Sequence, residues 1–204
     1  MSDDTDKARG RPLGFDPDTV LDDLVMLFWE KGYDDTTQAD MVKRTGLSSS
    51  SLYNTFGDKP ATFDRVLARY NDMVAAACEP MAGGNSGLAE LEAYVDWLEA
   101  RLVSGDGPSG CLMVATMGEC AEEARSVTGR CADYRAIQRD AMSTAIDRAV
   151  ADGDLTPGDT SVRSALMLAA IIGVGATSRS SPSTEDPLAM LDAIRKLIRS
   201  WTPQ

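Results

Sequence analysis

Four cysteines, at positions 78, 111, 120 and 131, are the only thiols in a 204-residue chain that contains no histidine. Without imidazole, neither Ser-His-Asp nor Cys-His catalysis is available, and the commonest zinc ligand is missing. No C-x-x-C pair occurs, which excludes a zinc ribbon or a thioredoxin-type motif. Cys111 follows the glycine-rich stretch 104–110 and is expected near a helix N-terminus, where the dipole favours a thiolate. It is a candidate sensor of oxidants or electrophiles, with Cys120 or Cys131 as resolving partner; the plainer reading is a small buried hydrophobe. Hydrogen-bonding groups concentrate elsewhere. Ser48, Ser49, Ser50, Ser51, Tyr53 and Asn54 crowd hydroxyls, a phenol and an amide into one short stretch, with Thr37 upstream and Lys59 downstream. Glu119, Glu122 and Glu123 are isolated acids, and no base, nucleophile pair, metal spacing or phosphate loop identifies an enzyme. No metal and no cofactor is expected, and an all-α enzyme survives only as an alternative without an identifiable catalytic site.

The elements that must position these residues read as helices throughout. Val20, Leu21, Leu24, Val25, Leu27 and Phe28 repeat at helical spacing, with Asp16 as cap, Pro17 in the first turn and Gly32 as stop. A short helix is expected from Thr37, whose partner Asp40 three residues on forms a capping box, to Arg44. The turn Thr45-Gly46-Leu47 then leads into a second short helix opened by Ser48. Met41, Val42, Leu47 and Leu52 supply a miniature core, leaving Ser49, Ser50, Ser51 and Asn54 facing outward. Two short helices around a glycine turn describe a helix-turn-helix, whose second helix enters a major groove. Asp58 caps a longer helix, a break is expected at 81–86, and further helices run to about Trp201. No strand alternation or internal repeat appears, so the fold class is all-α.

Gly32-Tyr33, Thr36-Thr37, Thr45-Gly46-Leu47-Ser48 and Leu52-Tyr53-x-x-Phe56-x-x-Lys59 resemble the DNA-binding domain of the TetR family of transcriptional regulators, continuously from about Arg9 to Tyr70. Gly110-Cys111-Leu112 with Glu119 is similar to a subgroup of that family. The resemblance implies that Tyr53, Lys59 and Thr37 contact phosphates, as suits a phenol, an ammonium and a helix N-terminus. It implies that Ser48, Ser49, Ser50, Ser51 and Asn54 face the DNA. Asn pairs with adenine and Ser with several bases. Arg9 and Arg11, in the basic arm before the domain, would enter a minor groove. Residues 1–58 would form the arm and DNA-binding domain, and 59–204 a helical effector-binding and dimerisation domain with 59–78 as connecting helix. The expected function is a ligand-responsive repressor released from double-stranded operator DNA by a small-molecule effector; a thiol-based sensor using Cys111 is the alternative.

Charge speaks against that reading at first sight. The chain carries 20 basic and 32 acidic residues, a net charge of −12. Charges beyond about 10 Å are screened at moderate salt, so local placement of Lys43, Arg44 and Lys59 decides, and affinity should fall steeply with salt. In the second half, Tyr94, Trp97, Cys111, Met113, Met117, Tyr134, Met142 and Met167 are candidates for an apolar effector pocket. Ile171, Leu188, Leu191, Ile194, Ile198 and Trp201 are candidates for a homodimer interface, which Gly173 and Gly175 would bring close. The apolar run from Ala165 to Thr177 is too short for a bilayer crossing and no signal peptide is read at the start, so no membrane partner and a cytoplasmic location are expected.

Overall fold

In a computed structural model of the chain, residues 14–105, 107–119 and 124–204 are described, and among them the regular structure is nine α-helices without a strand. The all-α expectation holds. The first three helices are α1 (Pro17–Lys31), α2 (Gln38–Thr45) and α3 (Ser49–Phe56). Each begins on a side chain that accepts from first-turn N–H groups lacking a helical partner. Asp16 accepts from Asp18 and Thr19, Thr37 from Asp40, and Ser48 from Ser51. The α2 start is a complete capping box, since the Thr37 N–H donates to the Asp40 carboxylate at 2.9 Å. Gly46, at φ 69°, occupies the left-handed region that a β-carbon disfavours, and this lets the chain turn directly into α3.

α4 (Lys59–Gly83) leaves this unit and enters a bundle of α5 (Gly87–Ser104), α6 (Leu112–Glu119), α7 (Ala124–Ala151), α8 (Thr160–Ser180) and α9 (Glu185–Arg199). The break expected at 81–86 is shorter, because Pro80 is accommodated in the last turns of α4 and Gly84 caps the end through the Pro80 carbonyl. Phe28 of α1, Phe63 of α4 and Tyr33 between them stack at centroid distances of 4.7 to 6.4 Å. Phe28 and Phe63 are fully buried, and such rings dominate core energetics, each burial stabilising by about 1.5–3 kcal/mol. α4 therefore belongs to both halves: it packs on α1 at its start and along α7 beyond.

α7 is flanked by α5 and α8, and α9 closes the bundle against both. Gly175 of α8 permits one close approach, since a β-carbon there would lie 2.9 Å from that of Cys111. α8 is long and apolar enough, by length and composition, to cross a membrane. Only 33% of that stretch is buried. Its inner face packs on α6, α7 and α9, and Arg163 and Arg179 near its two ends bond within the fold.

Candidate nucleic-acid interface and internal cavity

The helix-turn-helix is held from below and open above. Met41 and Leu52 are buried where α2 and α3 pack against α1 and α4, with Val42 and Leu47 partly buried against the same core. Two ion pairs lock α2 onto α1: Lys31 with Asp40 at 2.8 Å, and Arg44 with Glu30. The Lys31 ammonium and the Thr37 hydroxyl beside Asp40 hold its carboxyl well below the usual range. With α2 fixed, α3 presents Ser49, Ser50, Tyr53 and Asn54 to solvent, and Ser51 is half-buried. Tyr53 is 64% exposed, too open to be a core ring.

The remaining candidates differ in how free they are. The Ser48 hydroxyl is engaged as the α3 cap and lies within 3.0 Å of the Ser50 and Ser51 hydroxyls. Thr37 donates both its N–H and its O–H to Asp40, so an anion at the α2 N-terminus would meet main-chain donors after it rather than its hydroxyl. Lys59 starts α4, where a cation opposes the helix dipole. Its ammonium sits 4.3 Å from the Tyr33 ring centroid and donates to the Asp34 carbonyl at 3.4 Å. That internal compensation uses one of three donors and is invisible in the spacing. Arg65, which the sequence pattern does not single out, lies over the Phe56 ring and donates to the Thr55 carbonyl at the end of α3. Arg9 and Arg11 lie outside the described residues.

A cavity of about 220 Å³ opens between α1, α4, α5, α7 and α8 and the segment after α5. Tyr94, Trp97, Cys111 and Tyr134, all candidates from sequence, line it together with Trp29, Tyr70, Arg101 and Gln138, which were not. The Cys111 thiol is buried, accepting from the Tyr70 phenol at 3.3 Å and donating to that of Tyr134 at 3.2 Å. Tyr94 donates to Gln138 at 3.0 Å. Burial pushes the phenols of Tyr70, Tyr94 and Tyr134 well above their ordinary values. It also pushes the Cys78 thiol up to about 11 and raises that of Cys131. Arg101 lies over two indoles, 5.0 Å from the Trp29 ring centroid and 5.4 Å from that of Trp97.

The four methionines expected from sequence do not join this cavity, whereas Met73 of α4 does. Met113, Met142 and Met167 are completely buried in the bundle core, and Met117 is 38% exposed outside it. Flexible thioethers fill irregular gaps inside a core as readily as they line a site. The stripe expected at the dimer interface is also placed differently. Leu191, Ile194 and Ile198 are buried within the protomer, where α9 packs on α5 and α8; Ile171 is buried and lines the cavity. Leu188 and Trp201 are partly covered, and the Trp201 carbonyl accepts from the Thr156 N–H at 2.7 Å. Apolar periodicity shows that a face needs cover, not which chain supplies it. Among the described residues, Val162 and Leu166 on the outer side of α8 are exposed large apolar side chains, as are Met73, Trp97, Val103 and Met117 elsewhere. Among the described residues Cys78, Cys111 and Cys131 are free thiols, whereas Cys120, Glu122 and Glu123 lie outside them, as does the side chain of Glu119.

A family profile described as "Bacterial regulatory proteins, tetR family" matches residues 20–66, the span from α1 into α4. The HTH-type transcriptional repressor ComR of Escherichia coli is 31% identical over 182 residues, covering 88% of this chain and 87% of its own. The HTH-type transcriptional repressor BdcR of the same organism is 29% identical over 59% of this chain and 62% of its own. Among solved structures, a cysteine variant of the TetR family regulator CifR on a 26-bp operator duplex superposes with TM-score 0.80 at 24% identity, covering 94% of this chain and all of that one. The reduced form of E. coli NemR superposes with TM-score 0.77 at 17% identity over 88% and 96%. With a repressor similar along nearly its whole length and a helix-turn-helix that leaves its reading helix open, this chain belongs to the TetR family of DNA-binding transcriptional regulators.

Proposed function

We propose that the protein is a homodimeric repressor that binds an operator through α3 and leaves it when a small molecule occupies the internal cavity. One observation carries this reading: a single helix, α4, begins at Lys59 beside the reading helix and supplies Tyr70 and Val74 to the cavity wall. Residues 1–58 act as arm and DNA-binding domain, and 59–204 as the sensing and dimerising part, with α4 as the lever. Ser49, Ser50 and Asn54 meet base edges, while Tyr53, Lys59 and the N-terminus of α2 hold phosphates. Two such helices read one duplex only when about 34–36 Å apart. A ligand that swells the cavity tilts α4 and changes that separation. Packed interfaces have discrete arrangements, so a small shift suffices, provided the ligand prefers the arrangement that does not fit DNA. The dimer uses the outer face of α8 and the neighbouring surface of α9. A bacterial transcription regulator works where the DNA is, in the cytoplasm.

Selecting bound fragments from genomic DNA, followed by gel-shift titration, tests the DNA half. Recovery of a two-fold motif is expected, and sequence-independent recovery would refute it. For the sensing half, a thermal-shift screen of metabolites should find ligands that release the operator from the natural protein but neither bind nor release Val74→Trp, which fills the cavity. Ligands that act equally on the filled variant would refute it.

A further inference from the structure

The charge lining the cavity runs against the composition of the chain. Acidic residues outnumber basic ones 32 to 20, yet none of the described residues that line the cavity is acidic, and the single ionised side chain among them is Arg101. The three phenols there are neutral at physiological pH because burial disfavours their anions. Among the described residues no carboxylate pairs with the Arg101 guanidinium, whereas Arg44, Arg69, Arg130, Arg148 and Arg195 each hold one. Position in the last turn of α5 accounts for a cation near a helix C-terminus. It does not account for seating that cation over two indole faces at the wall of a cavity.

A second observation points to the same missing partner. The Trp29 indole N–H is buried and has no acceptor among the described residues. Buried donors in folded proteins are almost always satisfied, and an orphan calls for a reason. Trp29 lines the cavity and is one of the two rings under Arg101, so the orphan donor belongs to a ring that seats the unpaired cation. The rest of the lining combines aromatic and aliphatic side chains, with Tyr94 stacked on Trp97 at 5.7 Å, and neutral polar ones, Gln138 and four serine or threonine hydroxyls. We infer that the cavity takes a compact planar organic anion, an aryl or unsaturated carboxylate, with its acid group toward Arg101 and its apolar body among Tyr70, Tyr94, Trp97 and Tyr134. A volume of about 220 Å³ is below the roughly 300 Å³ at which sites for larger ligands begin, which sets the size. A cationic ligand would face the guanidinium with no counter-charge on the wall. The inference rests on the reading of this cavity as the effector site.

Calorimetric titration of the full-length protein with trans-cinnamate and 1-naphthoate, each beside its primary amide, tests it. The acids are expected to bind at least tenfold more tightly than the amides. In Arg101→Met the gap should close to within about twofold, with amide affinity retained, and Arg101→Lys should restore part of it. Circular dichroism and gel filtration verify that the variants fold. Equal binding of acids and amides overturns the inference, as does a preference that survives Arg101→Met or an absence of binding by both acids. The effector-site reading fails separately, if ligands that release the operator bind Val74→Trp as well as they bind the natural protein. Neutral ligands that lose affinity for Val74→Trp while acids gain nothing would leave the site standing and remove the anion.

Discussion

The guanidinium of Arg179, near the end of α8, donates to the main-chain carbonyl of Trp29 in the last turn of α1 at 3.1 Å. The final carbonyls of a helix have no intrahelical donor, so this bond caps α1 from a residue 150 positions away. Trp29 therefore faces two ways. Its backbone is pinned by α8, and the residue lines the cavity. The cavity wall is thus joined to the helix-turn-helix by two elements, α1 and α4.

Removing that tie should loosen the coupling more than the fold. Arg179→Met keeps the aliphatic stem and deletes the donor, at a cost of roughly 1 kcal/mol for one hydrogen bond from a charged, half-buried group. Operator affinity should fall by about fivefold, and the further loss on adding a cavity ligand should shrink. Fluorescence anisotropy with labelled operator measures both. Unchanged ligand response in the variant would show that α1 takes no part.

On α3 the contrast between residues is the expected signature. Tyr53→Ala removes a ring that is 64% exposed, so thermal stability should stay within about 0.5 kcal/mol. Operator and non-operator affinity should fall alike, with a shallower salt slope for Lys59→Ala. Asn54→Ala should instead change which sequences are preferred. Uniform loss from all three substitutions would take the base-reading role away from Asn54.

Local signals make the N-terminal unit legible in the amino-acid sequence. Asp16, Thr37, Ser48 and Asp58 all cap the helices their types and positions announce, and Gly46 turns the chain where expected. These are short-range effects, fixed within four residues. The cavity and the partner-facing surface depend on which helix covers which, and periodicity carries no such information. Leu191, Ile194 and Ile198 form the apolar stripe that the spacing shows, but α5 and α8 of the same chain cover it. Trp29 reads from sequence as one more apolar residue of α1. Only the tertiary approach of α5 places Arg101 over its ring.

Acid should unfasten the helix starts. Asp16 and Asp159 cap α1 and α8, Asp40 completes the capping box of α2, and each is held below its ordinary carboxylate value, by the Thr19 hydroxyl, the Ser161 hydroxyl and the Lys31 ammonium respectively. A depressed folded-state value means the stabilisation is complete above the unfolded value, about pH 4, and is lost as pH falls toward the folded one. Asp40→Asn should lower Tm by about 2–4 °C at pH 7, with a gap to the natural protein that narrows as pH drops below about 4. A gap that stays constant down to about pH 2 would remove ionisation from the explanation.

Thiol labelling should separate the buried cysteines from any sensor. Burial raises the thiols of Cys78, to about 11, and of Cys131, so almost no thiolate is present at about pH 8. Iodoacetamide on the folded protein at that pH, read by peptide mass spectrometry, should leave both unmodified for hours, and denaturant should expose them. Rapid labelling of Cys78 in the folded protein would mean that α4 and α5 open far more often than their packing implies.

The outer face of α8 is where a second copy should bind. Val162 and Leu166 are 53% and 50% exposed, and Ala165, Ala169 and Ala176 continue the same surface without bulk or charge. On α9, Ala189 and Ala193 add small exposed residues. Small side chains let helices approach closely, and a two-fold axis through this face would bury each exposed side chain on its own counterpart or near it. Leu166→Glu places like charges across that axis while touching nothing buried in the protomer. Sedimentation velocity should show a monomer at concentrations where the natural protein is dimeric, with circular dichroism unchanged. Operator affinity should drop at least about 100-fold, because one reading helix alone spans a single half-site. A Leu166→Glu protein that remains dimeric and keeps its operator would move the interface off this face of α8.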